Sequence, residues 1–147
     1  MRGLTGNHPR QLDERGRFVL PAKLREKMSG TVHITLSLVD KCLVLYTQDE
    51  WDILEDQVRE LPTTTNRAAK QFVELVIGSA DESEIDKQGR IGVDQELLKA
   101  VGITKDITLV GIGSKLEIWD SELYRKTKAE ISFENVLEGI ASFGLNI

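Results

Sequence analysis

A short motif that occurs twice constrains the fold of this chain more than any other feature. Asp13-Glu14-Arg15-Gly16-Arg17 and Asp86-Lys87-Gln88-Gly89-Arg90 share the pattern Asp-x-x-Gly-Arg and lie 73 residues apart. The same offset, without any gap, aligns further residues: Leu24 with Leu97, Thr31 with Thr104, Ile34-Thr35-Leu36 with Ile107-Thr108-Leu109, Leu43 with Leu116, and Tyr46 with Trp119. The chain therefore contains two copies of one unit, which are too few for a solenoid.

Each copy is predicted to fold as strand, turn, strand, short helix, β-hairpin and helix. In the turn, the aspartate can accept hydrogen bonds from backbone N–H groups, and the glycine can adopt a positive φ. Apolar alternation predicts hairpin strands at 31–39 with 42–46, and at 107–110 with 116–119. Val32, Ile34, Leu36 and Leu38 are predicted to share the inner face of the first of these strands. Helices are predicted at 21–28, 48–61, 66–77, 94–101 and 121–129.

The two helices between the copies are amphipathic. Thr47 and Glu50 form a predicted capping box, and Trp51 and Phe72 lie on the apolar faces of the two helices. We expect these helices to pack the cores of the two copies together or to form a subunit interface. The chain ends are less regular: residues 1–10 are predicted to be a loose or edge segment, and the weakly periodic tail to be partly disordered.

The repeat also predicts the architecture. A single copy has too little core to be stable alone, so the two copies are expected to bury their apolar faces on each other as a pseudo-dimer. The predicted fold is α+β: one pseudo-twofold β-barrel flanked by helices. The predicted divisions are the first motif with its flanking helix at 1–60, the connecting helix at 61–78, the second motif with its flanking helix at 79–130, and the tail at 131–147.

Composition favours a soluble cytoplasmic protein. The chain is 40% hydrophobic and 29% charged, with no apolar stretch typical of a signal peptide or a membrane span. The single cysteine, Cys42, excludes an internal disulfide and is predicted to be buried. Net charge is −5, yet residues 1–27 carry seven bases against three acids. Such a local basic surface can bind phosphate, although a chance cluster on a solvated face is the alternative.

The chain lacks the residue patterns of an enzyme. His8 lies in the N-terminal segment, His33 is predicted on the polar face of a strand, and neither has metal-ligand spacing. Gly111-Ile-Gly113 precedes a predicted strand rather than a helix, so we interpret it as a hairpin turn and not a dinucleotide loop. No cofactor, metal or small-molecule substrate is expected, and a barrel hydrolase is the least favoured alternative.

The basic turns are the stronger functional candidates. Arg15 and Arg17 are two residues apart and can project to one side, and pseudosymmetry would bring Lys87 and Arg90 to a related position. Arginine suits both phosphate oxygens and the guanine edge, and a β-ribbon or its turn can enter the major groove. Alternatively, each arginine pairs with the aspartate of its own turn and only stabilises that turn. The repeat and the basic cluster favour binding to double-stranded DNA.

Four stretches resemble the MraZ family, whose members carry two AbrB/SpoVT-type DNA-binding motifs: Leu12-Asp-Glu-Arg-Gly-Arg17, Pro21-Ala-Lys-Leu-Arg25, Ile85-Asp-Lys-Gln-Gly-Arg90 and Leu116-Glu-Ile-Trp119. The resemblance covers roughly residues 11–130. It implies a swapped-hairpin-like barrel in which the two halves act as one AbrB-like dimer. It also implies ring-shaped homo-oligomers, nucleoid association, and regulation of a division and cell-wall gene cluster through repeated short promoter elements.

The resemblance also implies roles for individual residues. Asp13, Gly16, Asp86 and Gly89 would shape the turns, and the DNA-contacting candidates are Arg15, Arg17, Lys23, Arg25, Lys87 and Arg90. The chain departs from the family in its longer opening, residues 1–6, and in Asp94, where proline is expected. Asp94 is expected to add negative charge near the second turn, which favours the first turn for DNA contact. The alternative function is a protein-binding oligomer that acts through the helices around Trp51 and Phe72.

Overall fold

The computed structural model describes residues 2–146, which form eight strands and six α-helices. The strands are β1 (Asn7–Gln11), β2 (Arg17–Val19), β3 (Thr31–Leu36), β4 (Leu43–Thr47), β5 (Asp81–Glu84), β6 (Arg90–Gly92), β7 (Asp106–Gly111) and β8 (Leu116–Asp120). The helices are α1 (Ala22–Arg25), α2 (Gln48–Arg59), α3 (Arg67–Val76), α4 (Gln95–Ala100), α5 (Ser121–Ala129) and α6 (Phe133–Ile140), followed by a 3-10 turn at Ala141–Phe143. The predicted unit is therefore present in both copies.

The two copies are interlocked by an exchange of their first strands. Six strands form an antiparallel sheet in the order β1-β7-β8-β4-β3-β5. The first strand of each copy joins the hairpin of the other copy, since β1 pairs with β7 and β5 pairs with β3. The hairpins meet at the centre, where β4 pairs with β8. This exchange gives the pseudo-twofold arrangement that the repeat predicts.

The α+β class is confirmed, but the predicted barrel is not. In the described structure β1 and β5 are the edges of the six-stranded sheet, and β2 and β6 form a separate two-stranded sheet. No sheet closes, because the strand that follows each turn pairs with its counterpart in the other copy rather than with the large sheet. The main apolar core includes residues of both sheets and of α1 and α4, among them Phe18, Ile91, Leu24 and Leu97.

A second, smaller cluster lies on the opposite face of the large sheet. Side chains alternate along β4, so Leu43 and Leu45 join the main core, whereas Val44 and Tyr46 pack with Trp51 of α2. Thr47 caps α2 by accepting a hydrogen bond from the backbone N–H of Glu50 at 3.5 Å. Trp51 is 4% exposed, so α2 packs on the hairpin of its own copy; its expected role between the two copies or between subunits stays a prediction.

His33 belongs to this second cluster, so its predicted position on a polar face is wrong. Its ring is buried and stacks on Trp51 with a centroid distance of 4.8 Å and an interplanar angle of 4°. The His33 Nε2 atom is 2.8 Å from Gln48 Oε1. The α2 helix covers this face of β3, which the alternation of the strand alone does not reveal.

Three local predictions also need correction. The first helix is one turn long, and Leu38 is 50% exposed because its strand ends at Leu36. Ser37 Oγ accepts from the N–H groups of Val39 and Asp40, and this turn redirects the chain before Leu38 can reach the core.

Residues 133–143 of the tail are helical rather than disordered, starting at the Ser132 cap. Residue 1 of the opening segment and residue 147 of the tail lie outside the described residues.

Cys42 is fully buried, as predicted. Burial removes water from the thiolate and raises the pKa of the Cys42 thiol to about 12, with a further contribution from the charge of Glu117. At pH 8 the thiolate fraction is therefore roughly a thousandfold below that of an exposed thiol.

We expect Cys42 to react far more slowly with a disulfide reagent such as dithionitrobenzoate than glutathione does at the same pH. The measurement is the labelling rate in native buffer, with the guanidinium-unfolded protein as the control for full reactivity. Native labelling at the rate of the unfolded chain would contradict this burial.

Candidate nucleic-acid interface

The first turn is held together by its own aspartate. Asp13 Oδ1 accepts hydrogen bonds from the backbone N–H groups of Arg15 and Arg17, each at 2.9 Å. Asp13 Oδ2 accepts from Arg17 Nε at 2.8 Å. Gly16 has a φ of +72° and donates its N–H to the carbonyl oxygen of Asp13 at 3.0 Å. One carboxylate therefore fixes both the backbone of the turn and the side chain of its second arginine.

The second turn repeats this geometry. Asp86 Oδ1 accepts from the backbone N–H groups of Gln88 at 2.9 Å and of Arg90 at 2.8 Å. Asp86 Oδ2 accepts from Arg90 Nε at 2.8 Å, and Gly89 has a φ of +78°. In both copies the turn thus combines an aspartate that accepts backbone N–H bonds with a glycine of positive φ.

Each turn arginine therefore pairs with the aspartate of its own turn, which was the structural alternative to a DNA contact. Arg17 and Arg90 each contact the aspartate of their own turn through Nε. Their Nη groups make no hydrogen bond to another residue within 2–146. Because a guanidinium has five N–H donors, pairing through Nε is compatible with an additional contact to a phosphate or a base.

Both aspartates have a lowered pKa. The pKa of Asp13 lies below its ordinary value of 3.8, chiefly because the backbone N–H of Arg17 stabilises the carboxylate. The backbone N–H of Arg90 lowers the pKa of Asp86 in the same way. The folded state thus favours the charged carboxylates, and their contribution to stability is present above the ordinary pKa and is lost as pH falls through the folded-state pKa.

We expect the melting temperature of the wild type to fall more steeply between about pH 5 and about pH 2 than that of a double variant with Asp13→Asn and Asp86→Asn. Asparagine keeps the acceptor oxygen but cannot be protonated in this range. Circular dichroism melting curves at matched ionic strength measure the difference. Parallel pH profiles for the two proteins would rule out this role of the aspartates.

The two turns flank a short antiparallel ribbon. β2 pairs with β6 in the register Arg17 to Gly92, Phe18 to Ile91, and Val19 to Arg90. Phe18 and Ile91 are buried in the core at 1% and 0% exposure. Since side chains alternate along a strand, Arg17, Val19 and Arg90 all lie on the outward face. The ribbon therefore brings the two repeated arginines onto one surface, which the offset of the repeat alone could not place.

Each turn is covered by the short helix of the other copy. Val93 N–H donates to the carbonyl oxygen of Gly16 at 2.9 Å, and Leu20 N–H donates to that of Gly89 at 2.8 Å. A Cβ on Gly16 would lie 2.9 Å from Gln95 Nε2 at the start of α4. The first turn thus lies against the segment that begins α4, and the second turn lies against the segment that leads into α1.

This exchange changes the surroundings of two predicted residues. Arg25 of α1 donates a hydrogen bond from its guanidinium to the carbonyl oxygen of Lys87, so it contacts the second turn. A Cβ on Gly89 would lie 3.0 Å from Arg25 Cδ.

Asp94 follows Val93, which contacts the first turn, so the expectation that it lies near the second turn is wrong. The reason is the antiparallel ribbon, in which the end of β6 lies beside the start of β2.

The other basic candidates are at the surface. The side chains of Arg15, Lys23 and Lys87 are exposed. Arg10 is one of the seven bases of residues 1–27 and was not among the predicted contacts, but its Nε donates to the carbonyl oxygen of Val19 at 3.0 Å. This contact brings a further guanidinium to the ribbon. In the sequence, this contact is indicated only by the position of Arg10 on the segment just before the first motif.

Outside the ribbon, the residues that suggested other chemistry have structural surroundings. His8 Nε2 is 2.9 Å from the carbonyl oxygen of Thr5. Gly113 lies in the turn between β7 and β8 and forms an isolated bridge with Leu4, which confirms the hairpin interpretation. Within residues 2–146, no three His, Cys, Asp or Glu side chains are grouped so that they could hold a metal ion. In the same range no helix is both long and apolar enough to cross a membrane.

The fold and the site define a class: a tandem-repeat α+β protein whose interlocked copies carry a pair of matching basic turns. The sequence matches the family model described as "MraZ protein, putative antitoxin-like" over residues 4–72 and 76–141. Each matched segment contains one Asp-x-x-Gly-Arg motif. The chain belongs to the MraZ family. This is a family of regulators, which supports the expectation of a DNA-binding regulator at the level of the family.

Proposed function

We propose that this protein is a sequence-specific transcription regulator that binds double-stranded DNA through its two Asp-x-x-Gly-Arg turns. The observation that carries the proposal is the outward face of the ribbon, where Arg17 and Arg90 lie together, each oriented by an aspartate. Family membership supports it. The proposed target is a set of repeated short elements in the promoter of a division and cell-wall gene cluster.

The geometry suggests how binding would occur. An arginine held through Nε loses little conformational freedom on binding, so its Nη groups are preorganised for a guanine edge or a phosphate. The major groove admits a two-stranded ribbon. Contacts to phosphates would position the ribbon, whereas contacts to bases would confer sequence preference. The proposed contacts come from the six exposed or partly exposed bases of the two turns and α1: Arg15, Arg17, Lys23, Arg25, Lys87 and Arg90.

The proposal includes a ring-shaped homo-oligomer in the cytoplasm, associated with the nucleoid. The C-terminal segment supports self-association, because five large apolar side chains there are at least half exposed: Ile131, Phe133, Leu137, Phe143 and Leu145. Several copies in one assembly would bind adjacent elements with higher overall affinity than a single copy, because the binding is multivalent. Light scattering after size exclusion should give a mass of several subunits, and a monomer at micromolar concentration would refute this part.

The test of DNA binding is fluorescence anisotropy with a duplex from upstream of the protein's own operon. We expect binding that exceeds binding to a scrambled duplex and that weakens steeply as salt rises, since neutralised phosphates release counterions. Equal, weak binding to both duplexes would contradict sequence-specific recognition. The complete absence of salt-sensitive binding would refute the proposal.

A second candidate function is a protein-binding oligomer whose basic turns are structural. It is favoured by a groove of about 330 Å³ between the two hairpins and the helices, with Tyr46, Phe72 and Ile112 among its lining residues. The pairing of Arg17 and Arg90 with the aspartates also agrees with it. Absent DNA binding together with an intact oligomer would favour this alternative.

A further inference from the structure

The two turns have the same backbone geometry but different charges. Position 14 is glutamate, whereas its equivalent at position 87 is lysine. Residues 13–17 carry two acids and two bases and are neutral, whereas residues 86–90 carry one acid and two bases, a net charge of +1. The copies have therefore diverged at the tip of the turn, where a side chain is free to reach a ligand.

The exchanged helices enlarge this difference. The second turn lies against residues 21–27, which contain α1 and carry a net charge of +2, whereas the first turn lies against residues 94–100, which contain α4 and are net −1. At equivalent positions, Lys23 corresponds to Glu96, and Arg25 corresponds to the buried Leu98. The Arg25 hydrogen bond to Lys87 O places one of these charges directly on the second turn.

Taken together, the second turn with its covering segment carries +3 and the first turn with its covering segment carries −1. The sequence order suggests the opposite, because all seven bases of residues 1–27 lie in or before the first copy. The fold places Arg25 on the second turn and Lys23 on the same short helix, whereas Asp94 and Glu96 belong to the segment beside the first turn. Lys27 Nζ instead donates to the carbonyl oxygen of Gly3 at 2.9 Å, and the second turn remains at +2 without it. A polyanion should therefore contact the second turn and its covering segment more strongly, since the local potential is more positive there.

We propose that the second turn makes the principal DNA contact, so that one chain binds its element in a fixed direction. Two equal turns related by a pseudo-twofold axis would read a palindrome, whereas unequal turns read an element with a strong half and a weak half. This inference rests on the proposed DNA-binding function and adds the orientation of the protein on its target.

The test compares matched single variants, Arg17→Ala and Arg90→Ala, by anisotropy on one promoter duplex at two salt concentrations. We expect Arg90→Ala to weaken binding roughly tenfold more than Arg17→Ala, because the second turn carries more of the contact energy. Loss from Arg17→Ala that equals or exceeds that from Arg90→Ala would overturn the inference. Because both arginines also stabilise their turns, melting curves must show that the variants remain folded.

A second pair of variants avoids the turns. Glu96→Lys and Lys23→Glu exchange charge at equivalent exposed positions, and neither residue is in the core. We expect Glu96→Lys to tighten binding several-fold and to steepen its salt dependence, and Lys23→Glu to weaken it. No change in either variant would overturn the asymmetry while wild-type binding still supports a DNA regulator. No salt-sensitive binding by the wild type would overturn the proposed function and this inference together.

Discussion

Replacement of both Arg17 and Arg90 by alanine should abolish specific DNA binding. Each bidentate guanine contact contributes about 1–3 kcal/mol of discrimination, so the double variant should lose about 2–6 kcal/mol of binding free energy on the promoter duplex. The expected result does not depend on which turn dominates, because both arginines lie on the outward face of one ribbon. Anisotropy titrations with promoter and scrambled duplexes measure both the loss of affinity and the loss of sequence preference.

The control is Arg59→Ala, which removes one arginine charge from the last turn of α2 and is compared with each single turn variant as well as with the double one. The α2 helix packs on the face of the large sheet opposite the main core, so this variant should bind like the wild type. A third variant, in which both turn arginines are replaced by lysine, keeps the positive charges but loses the paired guanidinium N–H donors. If the lysine variant keeps full sequence preference, the arginines act only as charges and the base contact is refuted.

The second large effect should be on stability. Phe18 is 1% exposed and lies opposite Ile91 in the ribbon, at the top of the main core. Phe18→Ala removes a fully buried ring and leaves a cavity, so we expect the free energy of unfolding to fall by about 3–5 kcal/mol. Urea denaturation followed by circular dichroism, at a fixed protein concentration, measures this change.

Val19→Ala is the matched control for this prediction. Val19 is the next residue of the same strand, but it is 47% exposed on the outward face. Its truncation should change the free energy of unfolding by about 0.5 kcal/mol or less, because exposed substitutions remove few contacts. A loss below about 1 kcal/mol for Phe18→Ala would mean that the ribbon contributes little to the core.

The geometry of the two turns could be predicted in part from the repeated motif. The motif predicted an aspartate that accepts backbone N–H bonds and a glycine with positive φ, and both features occur in both copies. The motif left open whether the arginine pairs with the aspartate, because one guanidinium can serve two partners at once. Atomic positions resolve this question: Nε contacts the carboxylate in each turn.

Predictions failed where a residue's surroundings come from distant parts of the chain. His33 was predicted on a polar face because alternation describes one strand and not the helix that covers it, and the ring in fact stacks on Trp51. Asp94 was expected beside the second turn because it follows that turn in sequence. The barrel was expected because two small copies should bury their apolar faces on each other, and the separate pairing of β2 with β6 leaves no local signal in the sequence.

The sequence by itself determined the two-copy organisation, the α+β class, the turn geometry and the family, since these depend on short-range patterns and on a regular offset. Only the tertiary structure decided which strand and which helix of one copy meet which turn of the other. Those contacts are set by burial of apolar faces between segments about 70 residues apart, such as those of Phe18 and Ile91. Because charge acts through space, the electrostatic character of each turn followed from that exchange and not from the order of residues in the chain.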